Sequence, residues 1–255
     1  MSTTALARTV VAPLVLGVAA VLLWQLGVTA LEVKPFVLPS PVAIGTEFAS
    51  NIASVVAGSR VTGGNALVGL VAGAVLAVLV AGLSALVRVF DGMAAPIVAA
   101  AAVVPIVALA PVLYTMFGAN VETARQLVAA LAVFVPVYVN TLRGLRQAAP
   151  VHRDLMRAYA ATPWQAARTI TLPGAVPFFF TGLRIASSLA VISALVAEYF
   201  GGPVGGLGKS ITTAASGSDY ALAYAYVLGA VLVGLLFYVV TAGLEAAALR
   251  RGRTR

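Results

Sequence analysis

Three stretches of this chain carry residues whose types and spacing could do chemistry: Thr162-Pro163-Trp164-Gln165, the run closing on Gly208-Lys209-Ser210, and Glu198 shortly before that run. The second stretch has the ending of a phosphate-binding loop. Such a loop also needs a glycine five residues before Gly208, where Pro203 stands, and a strand leading into it. ATP binding by this chain is therefore not expected, and neither is a catalytic, cofactor or metal site. There is no cysteine to supply a thiolate, His152 is the single histidine, and no carboxylates pair for acid–base work. What remains is non-covalent: a docking surface around the tryptophan, and a lone carboxylate beside glycines.

The elements that position these residues are built for lipid. Of 255 residues, 61% are hydrophobic and 9% charged, with a mean hydropathy of +1.03, whereas an ordinary soluble domain is roughly 25% charged. A spanning helix takes ~20 apolar residues, and six such stretches are readable: 10–31, 62–87, 94–118, 127–142, 177–199 and 221–244. Proline-rich residues 34–41 read as an extended external loop, and residues 42–57 as an interfacial amphipathic helix. Gly69, Gly73, Ala77 and Ala81 recur every fourth residue, a spacing that lets another helix approach closely in lipid. The third span contains Pro96, Pro105 and Pro111, each of which removes a helical hydrogen bond and bends the helix. Broken helix at membrane depth has to be covered by protein or line a cavity, so this span is expected to wall a pathway. The expected fold class is all-α: a polytopic membrane protein of about six transmembrane helices in one domain over residues 1–255.

Charge placement orients the map, because arginine and lysine are retained on the cytoplasmic side of spans. Arg8, Arg88, Arg143, Arg146, Arg153, Arg157, Arg168, Arg250, Arg251, Arg253 and Arg255 fall on one side, against Lys34, Arg60, Arg125 and Lys209 on the other. Both termini are thus expected in the cytoplasm, with the turn at 119–122 and glycine-rich residues 200–219 outside. Arg184 is expected to snorkel from the fifth span to the cytoplasmic interface. The net charge of +8 then reports membrane orientation, and no nucleic-acid partner is expected.

The longest polar gap, residues 143–171, lies on the cytoplasmic side of this map. Thr162 as N-cap, Pro163 at the first helical position and Gln165 three residues after the threonine form a capping box, with proline where its missing N–H costs nothing. The helix so begun is expected to stop at Pro173. A helix this short is marginal in water without a partner. Residues 152–173 read HRDLMRAYAATPWQAARTITLP, and here the chain resembles the permeases of bacterial binding-protein-dependent ABC importers. Their cytoplasmic loop carries E-A-A, three residues, G, nine residues, then I-x-L-P. Ile170, Leu172 and Pro173 match its end, while Asp154 replaces the glutamate, Leu155 and Met156 the alanines, and Ala160 the glycine. Alanine is expected to make that bend without a positive φ. The run DLMRAYAATPWQ looks most like the nitrate, sulfonate and taurine group. LPSP at 38–41, PIVALAPVLYTMFG at 105–118, FVPVYVNTLRGLR at 134–146 and VAEYFGG with GLGKSI at 196–211 are similar to family segments, in family order.

The resemblance implies a type I importer permease fold in the bacterial inner membrane. It further implies a second permease, most simply as a homodimer, two separate ATP-binding subunits holding ATP and Mg, and an extracytoplasmic substrate-binding protein. Coupling to the ATPase would fall to Asp154, Arg157, Tyr159, Ala160, Ala161, Thr162, Pro163, Trp164 and Gln165. Pro111, Tyr114, Met116, Tyr138, Asn140, Ser187 and Glu198 are candidate pathway residues. Trp164 reads either as a docking anchor or as an interfacial one, and Glu198 either as a gating carboxylate or as an interfacial charge. Asn140, Ser187, Ser188 and Ser193 read first as interhelical hydrogen bonders. The cargo would be a sulfonate-, nitrate- or taurine-like anion, or a pyrimidine- or riboflavin-type vitamin precursor. The competing class is an ion-gradient-driven secondary transporter or channel, which would bury charges within several spans; only Arg184 and Glu198, near span ends, are of that kind in this reading.

Overall fold

The structure is a computed structural model describing residues 11–118, 121–201 and 205–253. Arg8, Val10, Ala119, Pro203 and Arg255, which figure in the sequence reading, lie outside the described residues. Among those described, every regular element is helical. α1 (Ala12–Ala30) is followed by the short α2 (Pro41–Ser50) and the long α3 (Ile52–Leu86). α4 (Arg88–Val103) and α5 (Ile106–Phe117) precede α6 (Thr123–Arg146). α7 (Pro150–Ala158), α8 (Pro163–Ala166) and a π turn (Ala167–Thr171) lead into α9 (Leu172–Tyr199), then α10 (Leu207–Ser216) and α11 (Tyr220–Arg253).

Five helical stretches are long and apolar enough to cross a membrane, and α4 with α5 makes a sixth, bent by 105° at its break. The helices run through Pro96 and Pro111, so the sharp turn falls at Pro105 alone. Two further boundaries differ from the sequence reading. The expected interfacial helix is split: Ser40 caps α2 through its hydroxyl, with Pro41 at the first position, and a new helix begins at Ile52. α3 therefore has 35 residues, about 50 Å at 1.5 Å per residue, well beyond the ~30 Å hydrocarbon core. Pro173 does not stop the loop helix either. It lies in the first turn of α9, directly after the π turn, and residues Pro163–Tyr199 run as one helical stretch.

The core lies where α3, α6 and α9 pack together, built from small residues. Ala66, Ala77 and Ala81 of α3, Ala129 and Val133 of α6, and Ala186, Ala190 and Ala194 of α9 are fully buried. A Cβ at Gly69 would collide with Ala129, and one at Gly73 would stand 2.9 Å from Val133 Cβ and clash with the Ala130 carbonyl. Gly182 of α9 faces α6 in the same way, 2.9 Å from the Pro136 carbonyl. The four-residue stripe thus does what its spacing implied: it brings backbones close enough for dispersion to act, the attraction that counts where lipid removes the hydrophobic drive. α1 differs, having no buried residue and packing mainly against α2 among the described elements.

Candidate functional site

The most elaborate polar arrangement of the described residues surrounds Glu198, in the last turn of α9. Its carboxylate is fully buried. Oε2 accepts the Thr62 hydroxyl at 2.8 Å and the Gly208 amide at 2.9 Å. The Thr62 hydroxyl in turn accepts the Leu207 amide at 2.9 Å. These two amides belong to the first turn of α10, where a helix leaves its N–H groups without internal partners and presents a positive dipole end. Across the carboxylate, Arg125 Nη1 lies 3.9 Å from Oε1 with both side chains wholly buried. Arg125 Nε donates to the Tyr114 hydroxyl at 3.2 Å, and that hydroxyl donates to the Ala197 carbonyl at 3.2 Å. One carboxylate thereby ties α3, α5, α6 and α10 to the end of α9.

This node explains the glycines that imitate a phosphate loop. A Cβ at Gly206 would run into the Glu198 carboxylate, and one at Gly208 into the Leu195 carbonyl. The glycines let the start of α10 lie directly on α9, with Gly205 at φ +142 in a region glycine enters freely. Leu207, between them, is fully buried against Val55 and Ala230. α10 is thus packed back onto α3, α9 and α11.

Arg125 is the main correction to the sequence reading, which placed it among external loop charges. It lies in the first turn of α6 and is 0% exposed. A signal was present: it stands two residues before the apolar run at Leu127, and an ionisable residue at a span's edge invites a partner. Thr62, the node's second organiser, was missed because it read only as the start of a span. Arg125 thus joins Glu198 as a buried charge, where the sequence reading had counted only Arg184 and Glu198.

The other candidate pathway residues are not brought together. Tyr114 belongs to the node, while Pro111 and Met116 are exposed on α5. Tyr138 is buried, its hydroxyl 3.1 Å from Ser84 Oγ. Asn140 donates to the Pro136 carbonyl within its own helix. Ser187 pairs with Thr241 of α11 at 3.1 Å, the interhelical use foreseen for it. Just below, Arg184 meets Glu245 of α11 at 3.1 Å, and Glu245 also accepts the Thr181 hydroxyl. Arg184 is therefore paired between helices, and the sixth helix extends past the expected end of its span at 244.

In the loop, Thr162 Oγ1 accepts from the Gln165 amide at 3.3 Å, and the Thr162 amide donates to Gln165 Oε1 at 2.8 Å. Both halves of the capping box are formed. Asp154 and Arg157 make an exposed pair on α7. Tyr159 and Trp164 are 76% and 67% exposed, with Leu155 and Val151 also bare, so this segment shows large apolar side chains that none of the described residues covers. A cleft of about 500 Å³ separates α7 from the π turn, lined in part by His152, Thr169 and Phe178.

Ala160 departs from expectation, with φ +49. The Ala160 amide bonds to the Arg157 carbonyl at 2.9 Å and the Ala161 amide to the Met156 carbonyl at 2.9 Å. That is a Schellman turn, whose C′ residue must be left-handed; alanine makes the bend by accepting the strain. Ala160→Gly is expected to relieve about 1 kcal/mol, slowing hydrogen exchange at the amides of residues 160 and 161. Unchanged exchange would show that the turn carries no strain.

Residues 65–253 match the family described as "Binding-protein-dependent transport system inner membrane component". The chain is 33% identical over 232 residues to the riboflavin transport system permease protein RibX of Chloroflexus aurantiacus, covering 89% of this chain and 85% of that protein. It is 31% identical over 167 residues to the taurine transport system permease protein TauC of Escherichia coli, covering 65% and 57%. Among solved structures it superposes on the crystal structure of an amino acid ABC transporter with histidines, at TM-score 0.62 and 14% identity, covering 81% of this chain and 96% of that one; at that identity the likeness speaks for the fold. With six spans, a broken third and a family match over three quarters of its length, the chain belongs to the binding-protein-dependent transport system inner membrane components, the membrane-spanning permease subunits of ABC importers.

Proposed function

We propose that this permease, paired with a second copy, forms the inner-membrane pathway for a small heteroaromatic solute of the riboflavin or pyrimidine type. The observation that carries the substrate class is the 33% identity to a riboflavin permease over 89% of the chain, against 65% coverage for the taurine permease. Energy comes from two separate ATPase subunits that hold ATP and Mg, and solute from an extracytoplasmic binding protein. The loop from Asp154 to Gln165 docks on the ATPase. Arg157, Tyr159 and Trp164 present the contact surface, while Ala160, Ala161, Thr162 and Pro163 shape it. Support for this comes from the bare aromatic side chains beside a fully formed capping box. Both termini face the cytoplasm in this arrangement.

Reconstitution with the neighbouring ATPase and binding protein tests the reading. Uptake of riboflavin or an aminopyrimidine should require ATP inside the vesicle and be indifferent to a proton or sodium gradient. Taurine uptake with no riboflavin uptake would overturn the substrate class, and gradient-driven uptake without ATP would restore the secondary-transporter reading. In intact cells an impermeant thiol reagent should label Ser216→Cys and spare Thr162→Cys; the reverse would invert the topology.

A further inference from the structure

Arg146 is the last residue of α6, and α7 begins four residues later at Pro150. Its guanidinium reaches sideways instead of toward the loop. Nη2 lies 2.7 Å from Asp91 Oδ1, in the first turn of α4, and 3.3 Å from the Ser84 carbonyl near the end of α3. One side chain therefore clasps three helix ends at the point where the chain leaves the membrane for the coupling loop.

What it clasps matters, because α4 is the lightly held arm of the broken span. Only Ala94 and Val98 of its sixteen residues are buried. A cleft of about 300 Å³ separates α4 from α6, walled by residues such as Ala99, Val135 and Leu142, and Asp91 and Arg146 line its end. Its anchors on the body include buried Ala94, Val98 in the core and this ion pair. α6 itself is firmly packed, with Tyr138 hydrogen-bonded to Ser84 and with Ala124, Ala129, Ala132 and Gly144 buried. A pull on the end of α6 thus has a route to α4, and through α4 to the 105° break at Pro105. A half-exposed pair of this kind is weak enough to open and close, and a discrete contact between packed elements is what a two-state transition uses.

We propose that the Arg146–Asp91 pair carries movement of the cytoplasmic loop to the broken span, which makes both residues positioning residues for transport; this rests on the loop docking on an ATPase as proposed above. The alternative role is that of two ordinary interfacial charges. A charge swap separates them. Arg146→Asp, Asp91→Arg and the double swap are reconstituted with the ATPase and binding protein, with the neutral Asp91→Asn as a milder variant that keeps its side-chain volume. Three quantities are read: ATPase co-purification, ATP hydrolysis, and solute taken up per ATP.

Each single variant should retain the ATPase and hydrolyse ATP while uptake per ATP falls about fivefold or more. The double swap should recover at least half of it. Single variants that transport at the wild-type ratio overturn the proposal, as does a double swap no better than its parents. Loss of the ATPase itself from the single variants also overturns it, because Arg146 would then belong to the dock. A wild-type permease that retains no ATPase sinks the docking reading and this inference with it, an outcome recognised before any variant is made.

Discussion

Glu198→Ala should yield a permease that reaches the membrane in low amount and unfolds well below the wild type. Removing one member of a buried, hydrogen-bonded ion pair costs about 3–5 kcal/mol, and more than the pair is lost here. The amide of Gly208 and the hydroxyl of Thr62 both lose their acceptor, and the Arg125 guanidinium loses the carboxylate it faces at 3.9 Å. Glu198→Gln keeps the shape and an acceptor oxygen, so its penalty should be smaller, about 1–2 kcal/mol. Thermal unfolding in detergent ranks the three proteins, and proteolysis of residues 205–216 shows whether α10 has come loose. An alanine variant within about 0.5 kcal/mol of wild type, the range of an ordinary surface substitution, would show that Glu198 does not hold α10.

Trp164→Ala should separate the permease from its ATPase while leaving the spans intact. The side chain is 67% exposed and touches no core cluster of the chain, so its truncation has little to cost the fold. If it fills a partner's cavity, the loss is that of an aromatic anchor, about 2 kcal/mol or more, roughly thirtyfold in association. Co-purification of the ATPase and uptake in vesicles are measured for wild type, Trp164→Ala and the control Thr169→Ala. Loss of both with normal membrane expression supports the dock. A variant that keeps its ATPase and transports normally makes Trp164 an interfacial anchor, and the coupling role moves to Tyr159 or α7.

The features legible in the sequence are those whose partners lie within a turn or two. Thr162 and Gln165 are three residues apart, and their reciprocal bonds form as spelled. Gly69 and Gly73 are one turn apart, and their stripe meets α6. The broken span was legible because proline acts on its own backbone. The node was not: Thr62 and Glu198 are 136 residues apart, and neither Arg125 nor Glu198 signals at its own position that the other will be its neighbour. Ala160 was misread for a different reason. The local rule that alanine avoids positive φ is sound, but the Schellman bonds around it outweigh a penalty of about 1 kcal/mol. Pro173 was misread because the helix carries on through it by way of the π turn at Ala167–Thr171, an irregularity that no residue type announces.

The continuity of Pro163–Tyr199 has a mechanical side. Trp164 and Glu198 sit near opposite ends of one shaft, about 50 Å apart at 1.5 Å per residue. The places where such a shaft can flex, the π turn and Pro177, are both in the half nearer Trp164. Beyond Pro177 the remaining length swings as a lever: a tilt of about 5° over the ~30 Å to Glu198 displaces the far end by nearly 3 Å, as much as the length of the hydrogen bonds that Glu198 makes there.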